Sequence, residues 1–79
     1  MIREVYQEPL SIADFVKIGR KRMRISQRAL ASYAGVGLRF VRELEQGKKT
    51  LRLDKVNLVL GIFHGMVVAM RKPNLQEYE

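Results

Sequence analysis

The sequence predicts a mainly helical domain of four to five helices followed by one short β-strand, which we expect to pair with the same strand of a second copy. Two observations predict this fold. Apolar residues recur at helical spacing in several segments bounded by capping residues. Within residues 26–47, two short helices meet at a turn containing glycine, the arrangement of a helix-turn-helix. A chain of 79 residues has room for one small domain, which gains stability from oligomerisation.

The charge favours a polyanion as partner. Fifteen Lys and Arg against eight Asp and Glu give a net charge of +7 and a pI near 10.3. Six of the cations fall within the twelve residues from Lys17 to Arg28. Such clustering is typical of nucleic-acid binding. A helix on a membrane surface needs large apolar residues opposite its charges, and here the core needs them, so nucleic acid is favoured over a membrane.

Several classes of function are excluded by what the sequence lacks. Without cysteine it has no disulfide, thiolate nucleophile or zinc finger, which fits a reducing cytoplasm. We expect neither a membrane span nor a signal peptide, because no apolar run is long enough. The single histidine, His64, lies at a predicted helix end, where a capping or surface role is expected. With no ligand cluster and no phosphate-binding loop, we expect no enzyme activity, cofactor or metal.

The first ten residues are predicted to extend from the folded domain. Ile2, Val5 and Tyr6 make this segment too apolar for a solvated tail, and we expect it to cover a groove or a dimer seam. The chain is thus predicted to comprise an N-terminal extension (1–10), a helix-turn-helix DNA-binding domain (11–65), a dimerisation strand (66–72) and a flexible tail (73–79).

The first helix is predicted to begin after Ser11. Ser11 and Asp14 have the spacing of a capping box. Gly19, inside this helix, would permit the close approach of another helix. The residues expected near its apolar face are Ile12, Phe15, Val16 and Met23.

The helix-turn-helix is predicted from its caps. Ser26 is a typical N-cap residue, whose hydroxyl accepts a backbone N–H at the start of a helix over residues 27–33. Gly35 can adopt the left-handed conformation that ends this helix. Gly37 is then the cap of a second helix over residues 38–46. A bare pattern of this kind also fits an ordinary helical hairpin with solvated arginines.

The second helix of the motif is predicted to point Val41 and Leu44 inward. Arg39 and Arg42 are then on its exposed face, which favours a helix that reads the DNA major groove. Leu38 and Glu43 share this outer face.

The C-terminal third of the domain begins with the polar loop that holds Lys48 and Lys49, which is well placed to touch phosphate. A fourth helix is predicted from Leu53 to about His64, ending at Gly65. A short β-prone run follows, too short for a helix and bounded by charge, which predicts a strand. Its partner is either residues 2–6 of the same chain or the same strand of a second copy, and dimerisation is the preferred interpretation. Its residues are Met66, Val67, Val68, Ala69 and Met70.

With these residues in place, the chain resembles the Cro/C1-type (Xre-like) helix-turn-helix family from about Phe15 to Met70. Within that family it is most similar to HipB-like antitoxins, small repressors encoded beside a HipA-like kinase toxin. The run at residues 35–60 points to the HipB-like branch. The residues at family spacing are Ser26, Gln27, Leu30, Ala31, Ala34, Gly35, Val36, Val41, Leu44, Glu45 and Gly47.

The resemblance implies a lambda-repressor-like domain that binds double-stranded DNA as a two-fold homodimer on a palindromic operator, with a HipA-like kinase toxin as a further partner. It implies that Gln27 contacts phosphate and braces the second motif helix, and that Arg20 and Glu45 form a structural ion pair. Arg20 as one more DNA cation is the alternative. Phe40 departs from the smaller family residue, and either packs inward or touches a thymine methyl.

The resemblance also implies which residues meet DNA. Arginine pairs with guanine and glutamate accepts from cytosine, so we expect a half-site containing guanine. Gly37 replaces a Ser or Lys common in the family, so no side chain contacts phosphate there. The residues expected to read bases are Leu38, Arg39, Arg42 and Glu43. Those expected at phosphates are Ser26, Gln27, Arg28, Gly37, Lys48 and Lys49.

Two alternatives to a DNA-binding repressor stay open. The first is a protein-interaction module whose main work is to bind and neutralise a toxin. The second is a basic RNA-binding domain, which is weakened by the lack of an aromatic platform because Phe15 and Phe63 are needed in the core.

Overall fold

The computed structural model describes residues 10–69, which form four α-helices. The helical class and the helix-turn-helix arrangement are as predicted from the sequence. None of the helices in this described range is long and apolar enough to cross a membrane. The helices are α1 (Ile12–Met23), α2 (Gln27–Ala34), α3 (Leu38–Glu45) and α4 (Leu53–Gly61).

Serine side chains begin the first two helices. The Ser11 hydroxyl accepts a hydrogen bond from the Asp14 backbone N–H at 3.1 Å, and the Ser26 hydroxyl accepts one from the Ala29 N–H at 3.0 Å. Each hydroxyl satisfies a backbone donor that the helix itself leaves unpaired, which stabilises the helix by about 1 kcal/mol. Local sequence chemistry therefore sets where α1 and α2 begin.

All four described helices are followed by a residue in the left-handed region, closed by the paired backbone hydrogen bonds of a Schellman motif. At the end of α2, for example, the N–H groups of Gly35 and Val36 donate to the carbonyls of Ser32 and Ala31. The left-handed residues are Arg24, Gly35, Gly47 and His64.

The end of α4 differs from the prediction. The helix stops at Gly61 rather than near His64, and a tighter turn with i→i+3 hydrogen bonds follows it. The left-handed residue is His64, with φ of 62°, and not Gly65. Packing explains why residue 65 is glycine. A Cβ there would lie 2.7 Å from Cε2 of Phe15, so the aromatic ring excludes any side chain.

The core lies where the four helices meet, with α3 packed against α1 and α2, and α2 against α4. Ile12 and Met23 of α1, expected near its apolar face, are exposed instead, and they lie at the two ends of the helix. The buried apolar residues are Val16, Leu30, Ala31, Ala34, Val41, Leu44, Val56, Val59 and Leu60.

Two aromatic rings close one side of the core. Phe15 and Phe63 meet edge to face, with ring centroids 6.3 Å apart and planes at 79°, a favoured geometry for such pairs. The Phe63 ring lies directly on α1, where a Cβ at Gly19 would be only 2.6 Å from Cδ1 of Phe63. Gly19 thus permits a close approach to α1, as predicted, but the group that approaches is the Phe63 ring rather than another helix.

Gly19→Ala is expected to destabilise the protein by about 1–3 kcal/mol, because the new methyl group would overpack against Phe63. Gly61→Ala is the matched control, since it adds a methyl group to another helical glycine with nothing within 4 Å. That variant is expected to be neutral or stabilising by up to about 1 kcal/mol. Chemical denaturation measures both. Equal effects of the two substitutions would contradict the packing described here.

The predicted C-terminal strand is not formed in the described part of the chain. Residues 66–69 are neither helix nor strand, and Met70 and the rest of the predicted strand, 71–72, lie outside the described residues. A strand needs a pairing partner, and the Val67 N–H instead donates to Oδ1 of Asn57 in α4 at 2.8 Å. Residues 1–9 and 73–79, predicted as extension and tail, also lie outside the described residues.

Candidate nucleic-acid interface

The helix-turn-helix is built from α2, a three-residue turn at 35–37, and α3. Val36 in this turn is half-buried and packs on the core between the two helices. Val41 and Leu44 are fully buried on the inner side of α3. The opposite side of α3 is consequently fixed in place as an outward-facing surface.

The outer face of α3 carries two arginines. The side chain of Arg39 is 90% exposed, and Arg42 is exposed with no ion-pair partner among residues 10–69. Leu38, also predicted to read bases, is half-buried and packs partly on the core. Phe40 is half-buried against the core as well, which is the inward-packing alternative of the two that the sequence left open.

Glu43 is the fourth residue expected to read bases, and its carboxylate is already engaged. Oε2 accepts from Nε of Arg39 at 3.2 Å, and Oε1 accepts from Nζ of Lys48 at 3.4 Å. Partial burial tends to raise the pKa of Glu43, but the hydrogen bonds and charges of Arg39 and Lys48 outweigh it and lower the pKa. The carboxylate is therefore held ionised between two cations.

The residues expected at DNA phosphates fall into two groups. The Ser26 hydroxyl caps α2, and Nε2 of Gln27 donates to Oε1 of Glu45 at 3.0 Å, so both groups are used within the fold. Arg28, Lys48 and Lys49, by contrast, are exposed, although Lys48 also donates to Glu43.

Gly37 contributes backbone rather than side chain. It is the N-cap of α3 and provides no side-chain hydrogen bond to the helix. The first N–H groups of α3 thus lack a side-chain cap, and such groups are suited to bind a phosphate oxygen. The interface that results combines exposed cations with the N-terminal end of α3.

An ion pair beneath this surface joins the helices. Nε and Nη2 of Arg20 in α1 donate to Oε2 and Oε1 of Glu45 in α3, at 2.8 and 3.1 Å. Nη1 of Arg20 donates to the Ile25 carbonyl at 3.1 Å. The side chain of Arg20 is 19% exposed and that of Glu45 is 5% exposed. With Gln27 on the same carboxylate, this cluster connects α1, its following link and α2 to the end of α3.

The ion pair shifts the pKa values of both partners. The hydrogen bond to Glu45 raises the pKa of Arg20 against the opposing effect of burial. Burial raises the pKa of Glu45, but the hydrogen bonds from Arg20 and Gln27 and the nearby positive charges outweigh it, so the pKa lies below its ordinary value of 4.5.

Stability is therefore expected to fall in acid. Because the pKa of Glu45 is depressed in the folded state, its contribution is complete above the unfolded pKa of about 4.5 and is lost as pH falls through the lower folded value. Glu45→Gln should flatten the dependence of the unfolding free energy on pH between about pH 5 and 3, by at most about 1.4 kcal/mol per pH unit. Denaturation across this range measures it, and parallel curves for the two proteins would contradict the assignment.

These features define a class. Two short helices at a tight turn, the second one presenting exposed arginines, form a helix-turn-helix DNA-binding domain. No group of three or more His, Cys, Asp or Glu side chains within residues 10–69 could hold a metal ion.

The comparison with known proteins agrees with this class. The chain is 48% identical over 52 residues to y4mF of Sinorhizobium fredii, an uncharacterised HTH-type transcriptional regulator, and the alignment covers 66% of this chain and 68% of that protein. No protein-family model matches the chain. The chain belongs to the HTH-type transcriptional regulators, a family of DNA-binding proteins that are not enzymes, as the sequence predicted.

Two side-chain contacts were not predicted from the sequence, one on the outer face of α3 and one between α4 and the segment after it. The Arg39–Glu43 pair has i, i+4 spacing on a helix, which is a usable signal for an ion pair. The hydrogen bond from Val67 to Asn57 has no such local signal, since neither residue type nor spacing indicates it.

Proposed function

We propose that this DNA-binding regulator is a sequence-specific repressor that acts in the cytoplasm as a two-fold dimer on a palindromic operator. The observation that carries the proposal is the rigidly backed outer face of α3, with Arg39 and Arg42 exposed on it. Such a helix fits the major groove, and two copies related by a two-fold axis would contact half-sites about one helical turn apart. Occupancy of a promoter would then block transcription.

In this proposal the two arginines choose the sequence. The guanidinium of each can donate two hydrogen bonds to O6 and N7 of guanine, a pattern unique to that base in the major groove. Leu38 offers an apolar contact to a neighbouring thymine methyl group. The operator half-site is accordingly expected to contain guanine at two positions.

The remaining cations supply affinity. Arg28, Lys48 and Lys49 are exposed around the motif and would pair with phosphates together with the N-terminal end of α3. Contacts of this kind release counterions, so binding should weaken steeply with salt whatever the base sequence.

The dimer is proposed to form around residues 66–70. Met66 and Val68 are exposed, whereas Val67 between them packs on the core, so this segment presents apolar side chains to solvent. Leu10, Met66 and Val68 border an open apolar groove of about 410 Å³. Such surface is costly to leave in water, and a second copy would cover it.

Sedimentation tests the dimer. The wild-type chain should approach twice its 9.2 kDa mass as concentration rises, and Val68→Lys should remain a monomer with an unchanged helical spectrum. A single-chain mass for the wild type at every concentration would contradict the dimer.

We also propose that the protein is the antitoxin of an operon with a HipA-like kinase toxin and represses that operon itself. The support is the resemblance to HipB-like antitoxins, strongest at residues 35–60. A neighbouring kinase-like reading frame whose product co-purifies with this chain is the expected result. Absence of such a frame would leave the repressor without this partner.

DNA as the target is tested by selection from a pool of randomised duplexes. The expected product is a two-fold symmetric sequence with guanine in each half, and a matched RNA duplex should compete poorly for it. Enrichment of no sequence, or equal competition by RNA, would contradict the proposal and favour the basic RNA-binding alternative.

A further inference from the structure

Glu43 occupies an unusual position on the outer face of α3. It is an acidic residue on a surface otherwise suited to a polyanion, and its two oxygens are held by different cations. Arg39 Nε binds one of them at 3.2 Å, and Lys48 Nζ binds the other at 3.4 Å. Only 26% of the Glu43 side chain is exposed, against 90% of Arg39.

We infer that Glu43 is a positioning residue that orients the guanidinium of Arg39 for guanine, rather than a group that reads cytosine itself. The inference rests on the proposed reading of DNA by α3. Two residues of the predicted reading face then have different tasks. Arg39 contacts the base, and Glu43 holds the guanidinium of Arg39 in place.

The geometry of the pair supports this division. Because Nε of Arg39 is bound to Glu43, the donors left for a ligand are those on Nη1 and Nη2 at the end of the guanidinium. This end matches the paired acceptors O6 and N7 of guanine. An exposed arginine loses rotamer freedom when it binds a base. Because Nε of Arg39 already contacts Glu43 in the free protein, part of that entropic cost is met before DNA binds.

The surroundings of Glu43 argue against direct reading. Both oxygens of its carboxylate already accept from a cation, Oε2 from Arg39 and Oε1 from Lys48, so a cytosine N4 group would have to share or displace one of these contacts. The two cations also offset the repulsion that an acidic group would meet beside phosphates. Arg42, which has no ion-pair partner among residues 10–69, serves as an internal reference because it would read its base without such support.

A double-mutant cycle tests the inference. The probes are the duplex that the wild type selects from a randomised pool and versions with each guanine replaced. Arg39→Ala and Arg42→Ala first identify the base pair that each arginine reads. Glu43→Ala is then expected to lower the preference for guanine about tenfold at the base pair that Arg39 reads and not at the Arg42 base pair. A loss of this size lies within the range that one bidentate contact contributes. In the Arg39→Ala background it should cause no further loss.

Three further readouts separate positioning from a structural role. Glu43→Gln keeps an oxygen that can accept from Nε of Arg39, and it should retain part of the discrimination. Glu43→Ala should also bind scrambled duplex slightly more tightly, since it removes a negative charge near DNA. Both variants should melt within a few degrees of the wild type, because the Glu43 pairs are solvent-accessible.

Four results would overturn the inference. Loss of preference at a cytosine, persisting in the Arg39→Ala background, would make Glu43 a direct reader. Unchanged discrimination by Glu43→Ala, or an equal loss at the Arg39 and Arg42 base pairs, would show that Glu43 has no specific effect on Arg39. Failure of the wild type to select any sequence would overturn the proposed function, and the inference with it.

Discussion

Arg20→Ala is expected to lower the free energy of unfolding by about 3–5 kcal/mol, because it strands a buried carboxylate without its cation. Glu45 is 5% exposed, and Arg20 supplies two of the hydrogen bonds that satisfy it. The substitution also removes the donor to the Ile25 carbonyl. A domain of this size has little stability in reserve, so the variant should be largely unfolded at moderate temperature and fail to bind DNA as a result. Chemical denaturation at neutral pH measures the change.

Lys21→Ala is the matched control for Arg20→Ala. Lys21 is the next residue of α1 and is exposed, so its removal should change stability by no more than about 0.5 kcal/mol while removing the same charge. Equal effects of the two substitutions would mean that Arg20 acts only as a surface cation, the alternative that the sequence left open.

Arg39→Ala and Arg42→Ala are each expected to lower discrimination between specific and scrambled duplex by about 1–3 kcal/mol. The physical reason is the loss of paired hydrogen bonds to a guanine. Both side chains are exposed on α3, so neither variant should lose much stability. The double variant should approach the affinity for scrambled DNA, and competition titrations measure each step.

Lys49→Ala is the control for these arginines. Lys49 is also exposed and is proposed to contact phosphate, so its removal should weaken binding to all duplexes alike and reduce the salt dependence by about one counterion. Arginine variants with this same uniform effect would show that α3 touches the DNA backbone without reading bases.

The parts of the fold that local chemistry determines could be predicted from the sequence. Ser11 and Ser26 begin helices because a serine hydroxyl pairs with backbone donors a few residues along the chain. Gly35 ends α2 because it adopts a left-handed conformation easily. These contacts involve neighbours in sequence, so the pattern contains the information needed.

Contacts between distant residues could not be obtained in this way. Arg20 and Glu45 are far apart in the chain, and only the family resemblance implied their pairing. The prediction that α4 ends at Gly65 is wrong because the left-handed residue is His64. Glycine is needed at position 65 for the ring of Phe15, which belongs to another helix. The exposure of Met23 likewise depends on how other segments pack against α1, which periodicity within α1 does not reveal.

The C-terminal segment shows the same limit at the level of assembly. β-propensity predicted a strand after Gly65, but a strand requires a partner, and Val67 is hydrogen-bonded to Asn57 within the chain. Propensity measures how well a residue fits a sheet and does not provide the sheet.

Recognition of a DNA sequence through α3 can be tested by one titration. Wild-type protein would be titrated against the duplex it selects and against a scrambled duplex of equal length, at one physiological salt concentration. Binding to the selected duplex is expected to be at least about a thousandfold tighter than binding to the scrambled duplex. Equal affinity for the two duplexes, lost together as salt rises, would show that the basic face binds polyanions without reading sequence.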